Sequence, residues 1–273
     1  MNIVWAGLIV AGVTAAAVTV LLVIRRRAPE GGFFHDGDRA AGVFGVLAAG
    51  FSVLLGFVVF LAFESFDQSR AGAENEAMIV AQQNETAQLL PPAVRTRLSG
   101  ELRCYARYVV GVEWPTMENG DEGDEFNAWA LPLFRTLQAT DPKTASEQAA
   151  YSKWLDQTSD REQARTDRIH GAEGVIPWPL WAVLFLSGSL IFVFMLFFAD
   201  SGEPALVQAI QIGTVAAVIT AMLLLIGFLN TPFHRGAGGV RPVAMERTVA
   251  LLDKEALILR QTEPPPCNAL GLT

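Results

Sequence analysis

Histidine and cysteine are scarce in this chain, three and two among 273 residues. Chemistry that depends on them therefore has little to work with. There is no glycine-rich phosphate loop, no zinc-binding histidine pair and no nucleophile elbow. Gly236, Gly238 and Gly239 follow an apolar run rather than a strand, so they do not mark a nucleotide loop. Neither catalysis nor a cofactor is expected. Cys104 and Cys267 lack the spacing of a metal pair, and one pair is no disulfide framework, so both are expected as free thiols. The segment Glu118–Glu125 is rich in carboxylate oxygens but lacks the twelve-residue spacing of an EF-hand. His35-Asp36-Gly37-Asp38 reads as a polar turn, so no metal is expected. No basic excess exists either: the net charge is −8, which excludes nucleic acid as a partner because its phosphates need Lys and Arg to neutralise them.

Charge is also missing from four long apolar runs, Ile3–Ile24, Ala41–Phe63, Ile176–Ala199 and Leu206–Leu229. Each has about the ~20 residues that a helix needs to cross a ~30 Å hydrocarbon core. Lipid offers backbone amides no partner, and a helix satisfies its own. The first run has no basic segment before it and three arginines after it, Arg25, Arg26 and Arg27, unlike a cleaved signal peptide. It reads as a retained first span. Overall, 51% of residues are hydrophobic and the mean hydropathy is +0.33. A multi-pass protein of the plasma (inner) membrane follows, with the lipid bilayer as its first partner.

Between the second and third runs the chain carries 19 acids against 11 bases, so the acidity is concentrated there. No alternating strand pattern appears, and the fold class is all-α. Four segments are expected: 1–63 with spans one and two, 64–175 as an acidic helical bundle, 176–230 with spans three and four, and 231–273 as a helix and a disordered tail. The second span has no proline before Pro91 and Pro92, so one helix is predicted from Ala41 to about Leu89. Further helices are predicted at Ala93–Glu113, ended by Trp114-Pro115, then at Phe126–Ala139, Thr144–His170 and Pro242–Arg260, with Asp141 as a cap before Pro142.

Several local patterns resemble a known family. They include Ala40-Ala41-Gly42-Val43-Phe44, Gly56-Phe57-Val58-Val59-Phe60, Glu64-Ser65-Phe66-Asp67 and Glu76-Ala77. Tyr105, Val109-Val110, Glu113-Trp114-Pro115, Arg161, Arg165, Pro179-Leu180-Trp181 and Pro232-Phe233 complete the set. Together they resemble the bestrophin-like family, whose name refers to bestrophins. Those are pentameric anion channels with four membrane helices per subunit, a pore lined by the second helix, and a helical domain between helices two and three. The resemblance implies a homo-oligomeric ion channel, a pentamer, with ions as partners. No bestrophin pore or calcium motif is matched residue by residue. The other reading is a non-conducting scaffold or sensor that binds proteins through its helical domain.

Gly42, Gly45, Ala49, Ser52 and Gly56 recur at spacings of three and four and share one face of helix two. Such a face suits close packing, within a subunit or between subunits, or a pore lumen. Phe57, Phe60 and Phe63 could form an apolar constriction, and Glu64 with Asp67 an acidic ring beyond it. Gln208, Gln211 and Thr214 share a face of helix four and are expected to hydrogen-bond across helices. Four spans put the acidic domain and both termini on one side. The short first loop, with Arg25, Arg26, Arg27 and Arg39, is cytoplasmic by the positive-inside rule, which places the domain outside. Bestrophin architecture, and arginines such as Arg161, Arg165 and Arg247, argue for the opposite side. The arginine triplet abuts the first span, and the domain is therefore read as extracytoplasmic.

Overall fold

The computed structural model describes residues 3–124, 126–261 and 263–273. In chain order the helices are α1 (Ile3–Arg25), α2 (Gly37–Ala87), α3 (Pro92–Tyr108), α4 (Trp114–Glu118), α5 (Ala130–Gln138), α6 (Ala145–Ile169), α7 (Trp178–Leu196), α8 (Ala205–Leu229) and α9 (Val243–Ile258). Among the described residues α1, α2, α7 and α8 are long and apolar enough to span a membrane. The chain divides into two compact units, Met1–Glu64 with Val175–Asn230, and Ser65–Gly174 with Thr231–Thr273. The 51-residue α2 contributes to both.

In the first unit α1 lies along α8, and a glycine allows the approach. A Cβ at Gly213 would lie 3.3 Å from Val18 and 3.4 Å from Thr14. Gly188 of α7 plays the same part against Ile219 of α8. The two short loops are tied together. Arg25 donates to the carbonyls of Ser201, at 3.0 Å, and Glu203, while the Gly31 amide donates to Asp200 Oδ1 at 2.9 Å. Gln208 departs from expectation: its amide donates to the Asp200 carbonyl at 2.7 Å and so closes the turn before α8 instead of bridging helices. Asp36 accepts from the Arg39 amide at 3.0 Å, which makes it a cap for α2.

The second unit buries Leu98, Leu102, Tyr105, Trp114, Leu133, Trp154 and Phe233 in one core. Pro91 and Pro92 end α2, as predicted, and Pro92 opens α3. Trp114-Pro115 does not end the next helix. A π-helical turn, Val109–Glu113, carries it into α4, where Pro115 sits in the first turn and its missing amide costs nothing. The cap of α6 is Thr144, not Asp141: Thr144 Oγ1 accepts from the Glu147 amide at 3.1 Å and Glu147 accepts from the Thr144 amide at 3.0 Å. The helix expected from Phe126 starts at Ala130, because Asn127 Oδ1 accepts the Trp129 amide and makes a turn there. Glu125, in the acidic loop, lies outside the described residues.

Two expectations about the C-terminus are overturned. Cys104 and Cys267 are not free thiols but a disulfide across 163 residues. The tail is not disordered. Trp129 Nε1 donates to the Gly271 carbonyl at 2.6 Å, Leu270 lies against Gly111, and Pro266 covers Gly100. Long-range packing of this kind leaves no mark on local composition, which is why a proline-rich end reads as disordered.

In this unit α2 and α6 cross closely at Gly72. A Cβ there would stand 2.8 Å from the Ala164 carbonyl oxygen and closer still to the Arg168 amide. The obstruction is backbone, so only a shift of one helix relieves it. Gly72→Ala should lower stability by about 1–3 kcal/mol or more, the usual range for overpacking. Thermal unfolding in mild detergent checks this, and an unchanged midpoint would refute the crossing.

Candidate functional site

Two places gather the candidate residues: the exposed face of α2 and a buried ionic cluster in the second unit. On α2, Ala40, Phe51, Val58 and Ala62 are buried and define the inward face. Gly42, Gly45, Ala49, Ser52 and Gly56 lie on the opposite face and are exposed. A Cβ at Gly42, Gly45 or Gly56 would meet nothing within 4 Å. Nothing in the single chain packs closely against these glycines; the close helix approaches of this unit are at Gly213 and Gly188.

Phe57, Phe60 and Phe63 are 59%, 59% and 54% exposed, high for phenylalanine, so a single chain does not cover them. At about 100° per residue, Phe60, Phe63 and Asp67 continue the small-residue face, while Phe57 and Glu64 flank it. Glu64 and Asp67 are exposed and form no ion pair among the described residues. One face of α2 thus runs from small residues through phenylalanines to carboxylates.

The ionic cluster was not legible as a unit in the sequence. Arg161, Arg165 and Arg168 recur at i, i+4 and i+7 on α6 and face inward, 1%, 3% and 0% exposed. Arg168 Nε meets Glu76 Oε2 of α2 at 2.5 Å, and its Nη2 donates to Glu76 Oε1, at 3.2 Å, and to Glu113 Oε2. Arg165 pairs with Glu113 Oε1 at 3.2 Å and donates to the Asp124 carbonyl at 2.9 Å. Asn127 adds a bond to Glu113 at 3.1 Å, and Tyr105 donates to Glu76 at 2.6 Å. Arg161 donates to Gln83 Oε1 at 2.9 Å, pairs with Glu162 at the half-exposed rim, and lies 4.6 Å over the Tyr105 ring.

Glu113 reaches the cluster because it closes the π-helical turn. Burial alone would pull the Arg168 guanidinium down, but Glu76 and Glu113 outweigh it and hold the group well above its ordinary value. Burial, reinforced by Glu76, pushes the Tyr105 phenol up, so it stays protonated and donating. Buried charges persist only when paired and hydrogen-bonded, and this cluster meets that condition at the crossing of α2, α6 and the π turn. Its chemistry is that of a clamp. The sequence signal was indirect: Glu76, Tyr105, Glu113, Arg161 and Arg165 belong to the family-like residues, but three arginines on a helix read equally well as a solvated stripe.

A family model for the bestrophin-like domain matches residues 11–245. The chain belongs to the bestrophin-like domain family. No curated protein matches it. Solved structures similar to this bestrophin-like chain include a bacterial bestrophin homologue from Klebsiella pneumoniae, at 14% identity and a TM-score of 0.59, covering 97% of this chain and 100% of that one. A single-substitution variant described in the same words gives 13%, a TM-score of 0.60 and coverages of 96% and 99%. A substituted protein described only as a membrane protein gives 12%, 0.66, 94% and 99%. At these identities the likeness is one of fold. The bestrophin-like chain is thus an all-α membrane protein with four candidate spans and a helical bundle between the second and third.

Proposed function

We propose that this bestrophin-like chain is the subunit of a cyclic homo-oligomeric ion channel whose pore is lined by the outer face of α2. The observation that carries the reading is that face itself. It is uncovered in one chain, opposite the buried face, and ordered from Gly42 to Gly56, then Phe60 and Phe63, then Asp67. Small residues leave room for a lumen, apolar rings gate by dewetting, and carboxylate rings favour cations. Family membership supports both oligomer and channel, and five subunits follow the resemblance to bestrophins. Phe57 and Glu64, on the flanks, would meet the neighbouring α2.

The helical domain is assigned to the extracytoplasmic side. Disulfides persist in oxidising compartments, which supports placing Cys104–Cys267 there. Arg25, Arg26, Arg27 and Arg39 in the first short loop favour the cytoplasmic face for the opposite end.

Reconstituted in liposomes under a salt gradient, the wild-type chain should show a cation-selective reversal potential. Glu64→Gln with Asp67→Asn should shift that potential towards anions, and high salt should blunt the shift, since the Debye length falls to ~3 Å near ~1 M. An unchanged potential in the double variant would remove these carboxylates from selectivity. No conductance in wild type would instead favour the scaffold or sensor reading.

A further inference from the structure

A pocket of about 520 Å³ opens in the second unit between the start of that unit's share of α2 and the start of α9. Arg70 and Phe66 line it from α2, and Arg241 and Arg247 from the other side. Glu74, which also lines it, is occupied by Arg70 at 3.2 Å. Neither Arg241 nor Arg247 enters an ion pair with a described residue. Glu246, the acid in the first turn of α9, lines a separate groove with Arg107. The pocket therefore holds an excess of positive charge.

Backbone adds to it. Val243 and Ala244 line the pocket as the first residues of α9, whose N-cap is Pro242 and which has no side-chain capping hydrogen bond. Uncapped amides and the helix dipole both favour an anion. The preceding loop takes its tight path through glycines. Gly238 has φ +87°, and a Cβ at Gly239 would overlap the His234 carbonyl.

We infer that this pocket binds a phosphate group, the chemistry shared by an anionic phospholipid headgroup and free phosphate. Guanidinium forks match phosphate oxygens in pairs, and Phe66, Val240 and Val243 supply apolar wall beside them. Depth suits a headgroup. Phe66 stands about 5 Å along α2 beyond Phe63, the last apolar residue of the span, within the roughly 5–8 Å polar layer of a bilayer, and Arg70, about 10 Å along, has a side chain that leans back towards that layer because helical side chains tilt towards the helix N-terminus. This site is independent of whether the chain conducts.

The test uses the full chain in mild detergent. Native mass spectrometry compares retention of phosphatidylglycerol with that of phosphatidylcholine, and calorimetry measures inorganic phosphate. Wild type should retain phosphatidylglycerol preferentially, and Arg241→Gln with Arg247→Gln should weaken that preference by roughly thirtyfold, as expected for two arginines near a phosphate. Arg241→Lys with Arg247→Lys, which keeps the charge, should preserve most of it. Both side chains are exposed, so the variants should fold, and an unchanged melting temperature checks this. Lipid preference lost with the charge assigns the site to a headgroup. Phosphate binding lost with the charge, without lipid preference, assigns it to free phosphate. Equal behaviour of wild type and the Gln variant in both arms overturns the proposal.

Discussion

Arg168→Met should destabilise the helical bundle by about 3–5 kcal/mol, the range for removing one partner of a buried ion pair. The guanidinium is fully buried and faces two carboxylates, Glu76 and Glu113, which would remain without their main counter-charge. The loss should therefore exceed that of a cavity alone. Neutralising Glu76 as well, with Glu76→Gln, should restore part of the stability, because Glu113 keeps its pair with Arg165 and the bare Glu76 charge is no longer buried. Denaturant unfolding in detergent, followed by helical circular dichroism, measures both. A single variant within about 1 kcal/mol of wild type would show that water or relaxation satisfies the cluster.

Reducing the Cys104–Cys267 bond should have the second large effect. The bond closes a loop over 163 residues. Chain-entropy reasoning gives about 5 kcal/mol for such a loop, and measured losses of single bonds are more often about 2–4 kcal/mol. Wild type should melt earlier in reductant, while Cys267→Ser should start low and ignore the reductant. In membranes prepared with an alkylating reagent present, the chain should run faster on a gel without reductant than with it. A chain found fully reduced there would argue for a cytosolic domain and against the orientation assigned above.

The membrane architecture was legible because absence is a strong signal: no charge interrupts any of the four apolar runs. Helix α2 could be followed far beyond its span because nothing before Pro91 stops a helix and Gly72 is isolated. The clamp was hidden for the converse reason. Arginines at helical spacing look alike whether they face water or a core, and only the crossing at Gly72 brings Glu76 to Arg168. The disulfide and the ordered tail depend on contacts across more than a hundred residues, for which spacing offers no rule. The small-residue stripe was legible as a face, but its freedom from contact within one chain became visible only with α1 and α8 packed on each other.

The π-helical turn at Val109–Glu113 has a consequence for register. A turn closed by i to i+5 bonds amounts to an α-helix holding one residue too many, so α4 is phased about 100° away from the line that α3 would have continued. One rod thus has two addresses. Ahead of the turn it presents Leu98, Leu102 and Tyr105 to the core; behind it, Trp114 packs edge-on against Phe233 and Met117 reaches the Arg168 guanidinium. Deleting a single residue from the turn would return the rod to one phase and swing Trp114 and Met117 off their partners. The surplus residue is what lets one helix meet the tail on one side and the clamp on another.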